Sequence, residues 1–149
     1  MNNKNKDLYK DLDLVKKYTD FIGFYFRKFK VKCESCVNKT EKEFHHIYND
    51  LWNLIHCLPY HLLTDIEDST LLKQKVDAFY NRIKFLPCQL CKKHYMTYIR
   101  NNPIRKLKNN VDLQKWTVDL HNDVNSRLNK MNFSYTQARY KYKNLVINI

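Results

Sequence analysis

Apolar side chains recur along this chain every three or four residues, the repeat of a helix that buries one face. Over residues 7–30 they are Leu8, Leu12, Val15, Ile22, Tyr25 and Phe29, with Lys and Asp between them. They predict an amphipathic helix whose weak point is Gly23. A polar stretch over 31–43 interrupts the repeat and reads as a loop or flexible arm. The pattern resumes over 46–63 with Leu51, Trp52, Ile55, Leu58 and Leu62, where Pro59 is expected to kink or shorten the helix. Asp68 and Ser69 suit the start of a helix over 69–85, whose Leu72, Val76, Phe79 and Ile83 lie close to one face. A further helix over 88–101 must stop near Pro103. Another, over 112–130, starts from Asn110 or Asp112, and a short last one over 134–145 follows Ser134.

Short connections make neighbouring helices antiparallel. The expectation is an all-α fold: a four-helix bundle with a short fifth helix over 46–149, behind an N-terminal arm over 1–45. The 7–30 helix either packs on this body or offers its apolar face to a partner or a membrane surface, and packing is the favoured reading.

Composition narrows the class. One Gly and three Pro in 149 residues disfavour a β-sandwich or a Gly-loop α/β fold. No run of eighteen apolar residues suggests a membrane span, and no signal-like apolar core follows Met1 to Lys6. A soluble chain made in the cytosol is expected. The formal net charge is +12, with +4 in residues 1–45 and +8 in 46–149. Its densest part, Lys92 to Lys108, holds six Lys/Arg and no acid. Such a surface attracts polyanions in general. No base-reading motif accompanies it, so nucleic acid is not expected as a partner.

The cysteines change the picture most. Cys33–Cys36 and Cys88–Cys91 are both C-x-x-C pairs, and Cys57 is the odd one. Paired cysteines in a cytosolic chain suggest redox or metal chemistry rather than static bridges. Leu86-Pro87-Cys88-Gln89-Leu90-Cys91 sets one pair at a helix start, since proline favours the first turn. A helix N-terminus stabilises a thiolate, so a disulfide there is reactive. Trp52 and His56 share a helix face four residues apart, as do His121 and Asn125, with Asn122 beside them. Amides, imidazoles and an indole together offer donors, acceptors and a stacking surface to a planar heterocycle. Cys57 is most simply a small buried apolar residue.

Taken in order, these motifs resemble the Erv/ALR type of FAD-linked sulfhydryl oxidase. The matching residues are Trp52, Ile55 and His56, then Leu86-Pro87-Cys88-x-x-Cys91, Trp116, and His121-Asn122-x-Val124-Asn125-x-x-Leu128-x-Lys130. The resemblance covers about residues 46–143 and points to the divergent members found in large DNA viruses. It implies a helical bundle holding FAD, usually a homodimer, that oxidises thiols of a protein substrate and reduces oxygen to hydrogen peroxide. It implies that Cys88–Cys91 is the redox disulfide, with Cys91 nearest the flavin and Cys88 exchanging with the incoming thiol. Trp52, His56, Cys91, His121, Asn122, Asn125, Lys130 and, more weakly, Tyr142 are implied as FAD contacts. Cys33–Cys36 takes the part of a mobile shuttle pair. With no signal-like apolar core near Met1, a cytoplasmic or virion location is expected. No metal is expected.

Two departures stand out. Val118 and Tyr135 occupy positions where many relatives carry a structural disulfide. Packing of Val118 against Tyr135 could replace it, without the roughly 2–4 kcal/mol a disulfide often gives. Tyr48 and Asn49 lie where a glycine and a basic residue commonly precede the Trp. Two rival readings compete with the oxidase. Four cysteines could hold one zinc, but 51 residues separate the pairs, far beyond zinc-ribbon spacing. A basic nucleic-acid-binding protein would leave the cysteines incidental.

Overall fold

The computed structural model describes residues 2–34, 41–86 and 89–148, with 28–34 and 41–47 described by backbone alone. Among the described residues there are six α-helices and no strand: α1 (Asn3–Glu34), α2 (Glu41–His61), α3 (Thr70–Arg82), α4 (Gln89–Asn101), α5 (Asn110–Arg127) and α6 (Tyr135–Tyr142). The all-α expectation holds. Helix α1 runs through Gly23 to Glu34, so Cys33 belongs to a helix and not to the expected loop. Helix α2 likewise begins at Glu41 rather than near residue 46. Cys36, Pro87 and Cys88 lie outside the described residues.

The caps follow the chemistry of the sequence. Ser69 accepts from the Leu72 backbone N–H at the start of α3. Asn109 does the same for Asp112 at the start of α5, one residue before the expected Asn110. Ser134 and Gln137 close a reciprocal capping box on α6. Helix α5 stops at a Schellman turn. Asn129 takes the left-handed φ of 55°, and the Lys130 N–H bonds the Asn125 carbonyl at 2.8 Å.

Pro59 does not kink α2 out of the core; it is buried in the helix's last turn. Its ring nitrogen cannot bond the Ile55 carbonyl four residues back. The Tyr80 hydroxyl, wholly buried, donates to that carbonyl instead at 2.8 Å. Tyr80→Phe removes the replacement donor and nothing else. It is expected to cost about 1–2 kcal/mol in urea denaturation; an unchanged midpoint would refute this account of how α2 tolerates proline.

One core joins all the long helices. Val15, Tyr18, Ile22 and Phe26 of α1 are buried with Leu51, Leu54 and Leu58 of α2, Leu72, Val76 and Phe79 of α3, Tyr95 of α4, and Leu113 and Trp116 of α5. The packing alternative for α1 is therefore the one realised. Its contacts climb in order. Asp11 meets the chain after α2, Tyr18 meets Phe79 ring to ring at 5.8 Å, and Gly23 lies under the Arg82 guanidinium. Helix α1 thus runs parallel to α3, towards the end of the bundle from which the chain turns into the Cys88–Cys91 segment. A side chain at Gly23 would meet only the tip of the Arg82 side chain, which can move aside, and α1 continues through Gly23 without a break.

The connection from α2 to α3 is held from both sides. The Asp11 carboxylate, itself 1% exposed, accepts the backbone N–H groups of Leu63 at 2.9 Å and Thr64 at 2.8 Å. The Asn110 side chain accepts from the Ile66 N–H and donates to the Thr64 carbonyl. A smaller cluster of Cys57, Val118, Ala138 and Tyr142 fastens α6 to α2 and α5. This corrects one expectation. Val118 packs there rather than on Tyr135, whose ring stays exposed and whose hydroxyl donates to Asp119 at 2.7 Å. Tyr135 is the first residue of α6 and stays outside this cluster, whereas Ala138 and Tyr142, one and two turns further on, are buried in it.

Candidate functional site

Helix α2 presents Tyr48, Trp52 and His56 at successive intervals of four, one row about 12 Å long. Each member touches something different. The Tyr48 hydroxyl lies 3.8 Å from the Cys91 sulfur. The Trp52 indole stacks on the His121 imidazole, with centroids 3.8 Å apart and planes within 5°. His56, fully buried, bonds His121 at 2.8 Å and stacks on Tyr142 at 4.3 Å. Phe133 closes the group with its edge towards both imidazoles.

Hydrogen bonding fixes how the two imidazoles carry their protons. The Thr117 hydroxyl spends its one hydrogen on the Gln114 carbonyl at 2.7 Å. It must therefore accept from His56 Nδ1 at 3.1 Å, which leaves His56 Nε2 as an acceptor. His121 Nδ1 then donates to that nitrogen, and His121 Nε2 keeps its lone pair. Both rings are neutral in this arrangement. Burial, reinforced by the charge of His121 and then Lys141, holds His56 well below the usual imidazole range. Burial, followed by Lys141 and Lys130, pushes His121 down to about 4.

A pH dependence follows. Above pH about 6.5 both rings are neutral whether the chain is folded or not, and their packing contributes fully. As pH falls from about 6.5 towards 4, the unfolded chain takes up protons that the folded one refuses. Stability is then lost, by up to about 3 kcal/mol through His121 alone. Urea denaturation across this range is expected to show the loss, and His121→Gln to flatten it. Parallel profiles for the two proteins would contradict the neutral-pair assignment.

The other residues singled out by sequence divide by position. Cys91 is half-buried in the first turn of α4 and packs at the edge of the core. Asn125 is buried on α5. Lys130 follows the Schellman turn and, with Lys141, acts electrostatically on His121. The Asn122 amide is engaged by Phe133, donating to its carbonyl at 2.9 Å and accepting its N–H at 3.0 Å. It therefore sets the Phe133 edge against the imidazoles. Tyr142 is buried behind His56. Trp116 is core, its indole N–H bonded to the Asn102 carbonyl at 2.8 Å. Cys57 is wholly buried and burial pushes its thiol up to about 12, as suits an inert residue.

Sequence reasoning passed over two members. Tyr48 stood out only as a departure, where a glycine or basic residue commonly precedes the Trp, and Phe133 carried no spacing signal; one helical turn between Tyr48 and Trp52 is the signal that could have placed the first. A partly exposed indole–imidazole stack, the buried Asn125 amide and two nearby cations together suit a planar heterocycle joined to a diphosphate. The row along α2 connects that surface to a cysteine.

A protein-family model described as the Erv1 / Alr family matches residues 49–143, which excludes α1. An FAD-linked sulfhydryl oxidase of African swine fever virus, from a Malawi tick isolate, is 38% identical over 79 residues, covering 51% of this chain and 66% of the relative. The same enzyme from a Kenyan pig isolate is 37% identical over 78 residues, covering 50% and 65%. A probable FAD-linked sulfhydryl oxidase of Acanthamoeba polyphaga mimivirus is 32% identical over 69 residues, covering 44% and 48%. The matches thus span about two thirds of the swine fever virus relatives and about half of the mimivirus one.

Proposed function

Because the chain belongs to the Erv1/Alr family, we propose that it is an FAD-dependent thiol oxidase that makes disulfides in a protein substrate, with oxygen as the final acceptor. The observation that carries this reading is the α2 row, which joins Cys91 through Tyr48 to the Trp52–His121 stack. The residue set fits the cofactor. Trp52 and His121 supply planar faces, Asn125 an amide, and Lys130 and Lys141 positive charge suited to a diphosphate. When bound, FAD supplies a two-electron acceptor that passes electrons on to oxygen. The family match favours this over a zinc-binding or nucleic-acid-binding role.

In the proposed reaction a substrate thiolate attacks the Cys88–Cys91 disulfide at Cys88, releasing Cys91 as a thiolate. A second substrate thiol then resolves the mixed disulfide, so that the substrate gains one disulfide and the pair gains two electrons. The N-terminus of α4 and the Tyr48 hydroxyl favour charge on the Cys91 sulfur. The neutral His56–His121 pair keeps positive charge away from the buried side of the stack, and Asn122 and Tyr142 hold that pair in place.

Cys33–Cys36 serves in this reading as a shuttle that relays electrons from protein thiols to Cys88, alongside the direct attack open to a small dithiol or an extended segment. The parallel course of α1 and α3 supports it, because both helices head for the same end of the bundle. Cys33→Ser is expected to slow oxidation of a reduced protein by tenfold or more, about 1.4 kcal/mol, and a small dithiol much less. Equal slowing of both would remove the shuttle role. No helix among the described residues is long and apolar enough to cross a membrane. A homodimer acting in host cytoplasm or virion completes the proposal, and sedimentation tests the assembly.

The direct test is a visible spectrum of the purified chain before and after a dithiol is added in air. A flavin band that bleaches and then recovers as oxygen is consumed supports the reading. A colourless protein that FAD does not reconstitute refutes it.

A further inference from the structure

Beside the redox pair the surface is neither neutral nor wholly polar. Phe85 is 59% exposed and Leu90 is 64% exposed, immediately before and within the Leu86–Cys91 stretch. Phe85 and Leu90 thus put exposed apolar surface on both sides of Cys88 in the sequence. The Lys84 ammonium sits 5.3 Å over the Phe85 ring. Lys84 also lines a groove of about 300 Å³ that runs between α3 and α4. Arg100 and Arg105 line the same groove, Asp77 is its one acidic residue, and Met96 and Ile99 form apolar floor between them. One wall of the groove, Met96 to Arg105, belongs to the segment Lys92 to Lys108, which has six Lys/Arg and no acid. Charge here is thus joined through Lys84 and Phe85 to an apolar step at the cysteines.

We propose that this groove and step form the docking surface for the protein substrate, and that it selects a segment carrying acidic residues on one side of the reacting cysteine and a large apolar residue next to it. The inference rests on the oxidase reading, which supplies the thiol-bearing protein as occupant. Complementary charge fixes the sign of the segment. Apolar side chains on Phe85 and Leu90 accommodate the residue beside the cysteine, while Lys84, Arg100 and Arg105 receive the carboxylates. Such contacts act mainly on encounter and orientation, so their effect belongs in kcat/KM and weakens with salt.

The test uses the flavin-loaded full chain and two short dithiol peptides that share one Cys-x-x-Cys core. One has Leu beside the core and Asp/Glu flanks; in the other the flanks are Lys. Oxygen uptake is expected to give the acidic peptide about a tenfold higher kcat/KM at low salt, with the gap closing as salt rises. Fluorescence anisotropy of the same peptides with Ser for Cys gives a second readout that needs no turnover, and it is expected to rank them alike. Arg100→Glu with Arg105→Glu is expected to reverse the ranking, so that binding gained by the Lys peptide shows the variant to be folded. Equal kcat/KM for the two peptides, or a preference that survives the charge reversal, overturns the docking surface. So does a single-stranded DNA that binds through Arg100 and Arg105 while neither peptide does. A wild-type chain that turns over no small dithiol refutes the oxidase reading instead, and anisotropy still reports on the groove.

Discussion

Cys91→Ser is expected to lower thiol oxidation by about a thousand-fold or more, because a hydroxyl cannot form the disulfide that the exchange requires. The substitution is close to isosteric at a half-buried position in the first turn of α4, so the bundle should remain folded. Trp52, His121 and the His56 hydrogen bond lie on α2 and α5 and are not altered. Flavin content should therefore persist while turnover disappears. The check pairs oxygen uptake on a small dithiol with the visible spectrum. A yellow variant that keeps more than a small fraction of its rate would mean that Cys91 is outside the electron path.

The second large effect is on stability and comes from a residue with no part in the chemistry. Asp11→Ala should destabilise the chain by about 3–4 kcal/mol. Its carboxylate is buried and accepts two backbone N–H groups that follow α2. Charge-assisted bonds of this kind are worth about 1.5–3 kcal/mol each. The loss should appear as a fall in Tm of the order of 10 °C for a domain of this size. Asp11→Asn retains one acceptor and should lose less. A melting temperature within two or three degrees of wild type would mean that water readily replaces the carboxylate.

The helices were legible because amphipathic spacing is a local signal, and so were the caps at Ser69 and Ser134. The Trp52, His56 and His121 cluster was legible as residue types at motif spacing, and the structure brings those three into contact. What was not legible depends on distant partners. Asp11 reads as one more charge on a surface helix, and only the loop after α2 makes it a buried acceptor. Pro59 reads as a helix breaker until Tyr80, 21 residues later, supplies the missing donor. Val118 was paired with Tyr135 by position alone. Tyr135 opens α6 at its exposed end, and the contact falls to Ala138 and Tyr142 in the turns that follow. The length of α1 was underread because charged residues near its end obscured a helix that the polar pattern does not forbid.

The two halves of the chain mature in different ways during synthesis. Helix α1 and its main partners in α2 and α3 leave the ribosome before α5 and α6. The Asp11 clamp and the Tyr18–Phe79 contact need nothing beyond residue 79. The aromatic cluster cannot close until His121, Phe133 and Tyr142 have emerged. A nascent chain can therefore assemble its scaffold first, as vectorial folding allows. The aromatic cluster is completed last, so a chain cut before α5 keeps the residues of the Asp11 clamp and loses the proposed flavin site together with the α5 part of the core.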